Sequence, residues 1–239
     1  NEVRHIRVQM GVSNDCVSGS ALVEMGLTSA MATVVGPIDC ARRSDENSDR
    51  AVLQVSFQTL SPDRRVGSSD RRIIEAARCV QRAIESALLL SIYPKQRICV
   101  VVTILSDDGG RLCAAINATT LALIDAGLPM RDWVCSCSAG GRLFESEDVL
   151  VDLNRAEEGQ GSVFLPAAIM PQRGTLVLTQ CEARLPSWNS LERVLDAAIN
   201  GCKTIFLAMK EAVRAQAALR LKAQAGLAHV TEIHASSES

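Results

Sequence analysis

The order of periodic segments along the chain predicts an α/β (α+β) fold, and three observations carry that prediction. Short runs of alternating or continuous apolar residues recur between turn signals, as strands do. Three longer segments place apolar residues at helical spacing. No linker divides the chain, so its 239 residues read as one domain over 1–225 with a flexible C-terminal tail over 226–239.

Taken in order, residues 3–12 and 20–25 read as strands joined by a polar turn at Asn14 and Asp15. Residues 28–35 form a third strand, which Gly36-Pro37 is expected to stop. The charged stretch 38–50 reads as loop. Residues 51–60 alternate, with Leu53, Val55 and Phe57 set against Gln54, Ser56 and Gln58, and predict a strand. A loop follows from Ser61 to Ser69. Asp70 is the expected N-cap of a helix over 71–91, ended by Pro94. The apolar face of that helix is Ile73, Ile74, Ala77, Val80, Ala83, Ile84, Ala87 and Leu88. Residues 97–105 are almost wholly apolar and predict a strand buried on both faces. The loop 106–111 leads into a helix over 113–126, closed by Gly127 with Pro129 beyond. Four strands are expected at 132–139, 148–153, 163–170 and 174–181, with a polar loop over 154–161. Pro186-Ser187 opens a long helix over 188–222.

Composition excludes several function classes. Hydrophobic residues make up 47% of the chain, enough for a sizeable core and too many for a disordered protein. Aromatics are only 3%, which weighs against a module that binds single strands mainly by stacking bases on rings. The formal net charge of −2 means that any RNA contact comes from a local patch. No apolar run is long enough for a membrane span, and no signal peptide is visible. The chain begins at Asn1 without Met, and an upstream segment is expected. Nine scattered cysteines, several inside apolar runs, point to a reducing compartment and core packing. Cys135 and Cys137 are spaced too closely for the usual zinc knuckle, so no metal is expected there. The histidines, His5, His229 and His234, lie near the chain ends, away from any rigid core that could orient a catalytic imidazole.

Three features could carry chemistry. The loop Ser106-Asp107-Asp108-Gly109-Gly110-Arg111 joins a strand to a helix N-terminus, where free N–H groups and the helix dipole favour an anion such as phosphate. Gly109 and Gly110 permit close backbone approach. The ordinary reading is a tight βα turn. Arg64, Arg65, Arg71, Arg72, Arg78 and Arg82 form a basic stretch whose forked guanidinium groups suit phosphate oxygens or, equally, acidic neighbours on a solvated helix face. Asp152, Glu157 and Glu158 could act as acid and base or hold Mg²⁺, although a charged surface loop is the default.

The order of these features resembles the RNase PH family. The resemblance centres on the run 117–140, with Asn117-Ala118-Thr119-Thr120, Gly127-Leu128-Pro129-Met130-Arg131-Asp132 and Cys135-Ser136-Cys137-Ser138-Ala139-Gly140. Gly26-Leu27-Thr28-Ser29-Ala30, Val35-Gly36-Pro37, the Arg71-Arg72…Glu75 helix start, Val151-Asp152-Leu153-Asn154 with Glu157-Glu158, and Ala183-Arg184-Leu185 extend it over about 3–222. Within the family the match is to an exosome ring subunit, equivalent to the archaeal catalytic subunit but of the eukaryotic non-catalytic type. The upstream Arg-x-Asp-Gly-Arg segment of such subunits is not in this chain.

The resemblance implies two βαβα-like halves, with mixed sheets sandwiching helices. It implies a hexameric ring built with other RNase PH-like exosome subunits, RNA-binding cap proteins above it, single-stranded RNA in its channel and an associated hydrolytic exoribonuclease. It implies no cofactor and a location in the nucleus, nucleolus included, and the cytoplasm. Active members use inorganic phosphate to cleave RNA from its 3′ end and release nucleoside diphosphates.

Carried over residue by residue, the family's phosphate-binding arginine falls at Arg72. Arg64, Arg65 and Arg71 join it as expected RNA contacts. The Gly-[Ser/Thr]-Arg phosphate loop becomes Gly110-Arg111-Leu112, so Gly109, Gly110 and Arg111 read as a vestigial loop without its hydroxyl. Asp152 matches a retained family aspartate in a vestigial acidic site. The acid of the family's Asp-x-Pro element is replaced by Phe164, before Leu165-Pro166. Loss of the loop hydroxyl and arginine removes charge-assisted hydrogen bonds to phosphate. A phenyl ring manages no proton and holds no metal. The expected protein is therefore a ring subunit without phosphorolytic catalysis, and the competing reading is an active phosphate-dependent exoribonuclease.

Overall fold

A computed structural model describes residues 3–13, 17–40, 46–60, 71–144, 148–159, 162–181 and 183–237, with side chains described as far as 223. Among the described residues, nine strands and three α-helices follow one another as β1 (Ile6–Met10), β2 (Gly19–Met25), β3 (Thr28–Asp39), β4 (Val52–Thr59), α1 (Arg71–Ala87), β5 (Gln96–Ser106), α2 (Arg111–Asp125), β6 (Cys135–Gly141), β7 (Leu150–Val151), β8 (Val163–Met170), β9 (Thr175–Thr179) and α3 (Trp188–Ser237). They build two sheets. The first has the order β1-β2-β3-β5-β4 and the second β7-β6-β8-β9. Only the first sheet is mixed, because β4 runs parallel to β5 across the α1 crossover, while every pair in the second is antiparallel.

Helix α2 lies against both sheets, and the residues from Cys113 to Leu123 are all buried. A single apolar cluster therefore runs from Val23, Ala32 and Val100 through Ile116 and Leu121 to Cys135, Ala168, Ile205 and Met209. A smaller cluster, Ala139, Leu165, Ala167, Val194 and Ala198, seats the start of α3 on the second sheet.

Four expectations need correction. Strand β3 does not stop at Gly36-Pro37 but continues to Asp39. A register shift between Val35 and Ile38 absorbs the proline, which has no N–H to give the ladder, and pairing with β5 resumes at Ile38 and Asp39. Helix α1 ends at Ala87, well before Pro94. The Ala87 carbonyl accepts from Arg131 N at 2.7 Å and Leu88 forms a bridge to Met130, so tertiary pairing replaces the next helical turn. Strand β5 is not buried on both faces. Ile98, Val100, Val102 and Ile104 are buried, and the alternate residues are only half covered. Helix α3 continues along the backbone to Ser237, past the expected end at 222. The expected N-cap Asp70 lies outside the described residues.

Close strand packing leaves no room at Gly140. A Cβ there stands 1.8 Å from the Val163 carbonyl oxygen of the neighbouring strand. Gly140→Ala is expected to lower stability by about 1–3 kcal/mol or more, read as a lower midpoint in urea unfolding.

Candidate functional site

A groove of about 720 Å³ opens where α1, the β5–α2 loop and β8 meet, lined among others by Arg72, Asp107, Arg111, Arg155, Glu158 and Phe164. Arg72 reaches it from the exposed first turn of α1. Arg71 is also exposed but does not line it. Arg64 and Arg65 lie outside the described residues. The fold thus brings together Arg72, Arg111 and Phe164 from three distant parts of the sequence. It adds Arg155, which the sequence did not single out, and Glu158, which the sequence named in an acidic cluster with Asp152 and Glu157.

The β5–α2 loop is fastened from below. Gly109 and Gly110 both take positive φ values, 90° and 66°, which a glycine adopts without the Cβ penalty. Thr28 Oγ1 donates to the Gly109 carbonyl at 2.7 Å and accepts from Asp108 N at 2.9 Å. Arg4 Nη1 donates to the Asp108 carbonyl at 3.1 Å. The same guanidinium grips Asp152, through Nε to Oδ2 at 3.0 Å and Nη2 to Oδ1 at 2.7 Å. Arg4 N adds a bond to Oδ2 at 3.2 Å. Asp152 itself sits at φ 57°, and its side chain is 0% exposed.

This arrangement changes the reading of the acidic cluster. Asp152 lies outside the groove lining and is committed to Arg4, so it fastens the loop from beneath. Glu157 accepts from Asn154 N at 2.8 Å in a local turn. Glu158 Oε1 accepts from Gly110 N at 2.7 Å. Burial, the largest influence, raises the Glu158 carboxyl pKa above its ordinary value, and the Gly110 N–H opposes that rise. Among the described residues, no cluster of three or more His, Cys, Asp or Glu side chains stands together as a metal site.

The anion-binding potential of the loop is largely satisfied from within. Gly109 N donates to Asp107 Oδ1 at 3.3 Å and Gly110 N to Glu158. Arg111 Nη1 lies 3.8 Å from Asp107 Oδ2. Among the described lining residues, Arg72, Arg111 and Arg155 are matched in number by Glu75, Asp107 and Glu158. Phe164 lies across from Gly140 in the second sheet and contributes a ring to the groove wall. The buried thiols of Cys113, Cys135, Cys137 and Cys202 are not nucleophiles. Burial pushes Cys113 up to about 12 and raises the other three as well.

The sequence model described as the 3′ exoribonuclease family, domain 1 (RNase PH) matches residues 2–129. The human exosome complex component RRP41 is 38% identical over 218 residues, covering 89% of this chain and 87% of that protein. The chain belongs to the RNase PH family.

Other relatives agree. The exosome complex component Rrp41 of Pyrococcus furiosus is 37% identical over 217 residues, covering 89% of this chain and 84% of that protein. Among solved structures, rice (Oryza sativa) Rrp46 superposes with a TM-score of 0.79 at 25% identity, over 88% of this chain and 94% of that one. A chain of the Archaeoglobus fulgidus exosome, solved with RNA bound to the active site, gives 0.72 at 26% identity, over 87% and 89%. The two sheets and three helices described above are therefore an RNase PH fold, and this RNase PH chain is of the kind found in exosome cores.

Of the residues missed, Arg4 had no sequence signal, since a lone arginine before a strand is unremarkable. Thr28 stood inside a family-like segment, but nothing local revealed its two-way contact with the loop. Asp152→Ala is expected to destabilise the protein by about 3–5 kcal/mol, because it leaves the partly buried Arg4 guanidinium unpaired. Urea unfolding of Arg4→Met, Asp152→Ala and the double variant checks this. The double variant is expected to lose clearly less than the sum of the two singles.

Proposed function

We propose that the chain is a non-catalytic RNase PH-like subunit of a eukaryotic exosome ring. It builds the ring with other RNase PH-like subunits, and cap proteins and a hydrolytic exoribonuclease join the assembly. It touches single-stranded RNA during 3′-to-5′ processing and decay, in the nucleus, nucleolus and cytoplasm. One observation carries the reading. The groove that corresponds to a phosphorolytic centre has a phenyl ring at Phe164, and its loop N–H groups are held by Asp107 and Glu158 of the same chain.

Phosphorolysis needs donors aimed at phosphate and a group that manages a proton as the phosphodiester breaks. Here Arg111 leans toward Asp107, Asp152 is gripped by Arg4, and Phe164 transfers no proton. Arg72 and Arg71 remain exposed at the head of α1, where a guanidinium can meet an RNA phosphate without chemistry following. Arg64 and Arg65 extend the same basic stretch in sequence.

Affinity isolation of the tagged full-length protein from its own cells, read by mass spectrometry, tests the assembly. Recovery of several different RNase PH-like subunits with RNA-binding cap proteins is expected, and recovery of the chain only as a homo-oligomer overturns it. The isolated complex, given RNA and inorganic phosphate, is expected to release no nucleoside diphosphates. Their phosphate-dependent release would establish the active reading instead. Arg72→Ala in the reassembled complex is expected to weaken RNA binding for all sequences and reduce the salt slope of log K by about 1.

A further inference from the structure

We propose that the free edge of the first sheet, where β1 faces residues 212–222 of α3, takes an extended segment of a partner protein as an added strand, apolar at alternate residues and acidic between them. Such binding depends on no chemistry in the groove at Phe164.

β1 stands at the end of the sheet order and pairs only with β2. Its register runs without a shift from Ile6↔Met25 to Met10↔Ala21. Before it, the His5 carbonyl accepts from Gly26 N at 3.0 Å, and after it, Gly11 N donates to the Ser20 carbonyl at 2.8 Å. Hydrogen-bonded and unbonded pairs alternate in an antiparallel ladder. The odd-numbered residues of β1 therefore turn their N–H and C=O groups to β2, and Ile6, Val8 and Met10 turn theirs away from the sheet. Among the described residues, these outer groups have no hydrogen-bond partner. The devices that commonly protect an edge are also missing. β1 has no proline and no bulge, and its one charged residue, Arg7, stands opposite Glu24 on the open face of the sheet.

A groove of about 570 Å³ runs between this edge and α3. Val8, Met10 and Val12 line one wall. Ala212, Ala215, Gln216 and Leu219 line the other, at the i, i+3, i+4, i+7 spacing of a single helix face. Val12 and Leu219 are exposed. The helix is fastened beside the strand. Arg220 Nη2 donates to Asp125 Oδ1, and Asp125 Oδ2 accepts from Ser20 N at 3.0 Å. A Cβ on Gly11 would meet Arg220 Nη2 at 3.4 Å and Gln216 Nε2 at 3.7 Å, so the groove narrows at that end. An incoming helix would fill the apolar space but leave the outer groups of β1 covered and unpaired, because its own backbone bonds are internal. An extended segment pairs with them and sets alternate side chains between Val8, Met10 and Leu219. Its remaining side chains fall beside Arg7 and Gln9 on the open face of the sheet. The Arg7 side chain is 64% exposed and only loosely opposed by Glu24 at 3.6 Å. Between 203 and 222, α3 carries five basic residues and the single acid Glu211, and Lys222 stands exposed one turn past Leu219. Acidic side chains are therefore favoured over basic ones at those positions.

The probe is a labelled synthetic peptide of alternating valine and glutamate, capped at both ends and titrated with the full chain by fluorescence anisotropy. It is expected to bind, and exchange of every glutamate for lysine is expected to weaken binding at least about 10-fold. Two further peptides carry backbone N-methyl groups, one on every valine and the other on every glutamate. A strand bonds to β1 through one edge only, so one of the two is expected to lose at least about 10-fold in affinity and the other to keep it. On the protein, Val8→Pro removes an outer N–H and leaves the bonds of β1 to β2 in place, and Leu219→Asp sets a charge in the groove. Both are expected to lose the peptide, and if Val8→Pro does not fold, Leu219→Asp decides alone. No binding up to about 1 mM peptide, equal binding of the lysine peptide, or an equal response to both methylated peptides overturns the proposal. An alanine-rich acidic peptide that binds more tightly, and as a helix by circular dichroism, overturns it in favour of a helical partner.

Discussion

Asn117 makes the contact on which the arrangement of the two sheets depends. It sits in the middle of α2, wholly buried, where an unpaired amide is expensive. Its Nδ2 donates to the Ser136 carbonyl at 2.9 Å, and its Oδ1 accepts from Ser136 N at 2.8 Å. The side chain thereby completes both backbone groups of one residue in β6, as a neighbouring strand would. Thr120, one turn further on, donates to the Val134 carbonyl at 2.8 Å. These bonds lock a helix that packs against the first sheet to an inner strand of the second, and they give the helix axis one registration. Apolar packing around Ile116 and Leu121 supplies burial but no comparable direction.

The position of α2 sets the position of everything at its N-terminus. Thr28 and Arg4, both from the first sheet's side of the molecule, hold the loop that precedes the helix, and Asp152 holds Arg4. The result is a loop fastened from beneath, with the Gly109 and Gly110 N–H groups donating to Asp107 and Glu158. Carboxylates of the same molecule thus satisfy both of those groups, and Phe164 stands in the facing strand of the groove.

Much of the fold was legible along the chain because its elements are regular. The strand at 52–59, the helix at 111–125 and the strand at 163–170 follow from periodicity and from glycine and proline at their ends. The misreadings share a cause. Gly36-Pro37 reads as a terminator, yet β5 continues the pairing beyond it and a bulge accommodates the proline. Residues 88–91 read as helix, yet Leu89 N donates to the Pro129 carbonyl and the Ala87 carbonyl accepts from Arg131 N. In each case a partner distant in sequence outweighed a correct local preference. At the site, Arg72, Arg111 and Phe164 were singled out along the chain, and the fold brings all three to one groove. Arg4 and the destination of Glu158 were not, because an arginine before a strand and a glutamate in a polar turn carry no sign of what they touch.

The sequence by itself determined the fold class, the family and the apolar core elements. Those properties depend on residue type and local spacing, which a linear chain displays. Only the tertiary structure decided that Asp152 is a structural partner of Arg4 and that Glu158 accepts from Gly110 N. It also decided that the guanidinium groups of the groove are matched by carboxylates. Those are properties of distance between residues far apart in the chain, and electrostatic and hydrogen-bond energies at such sites change within a few ångströms.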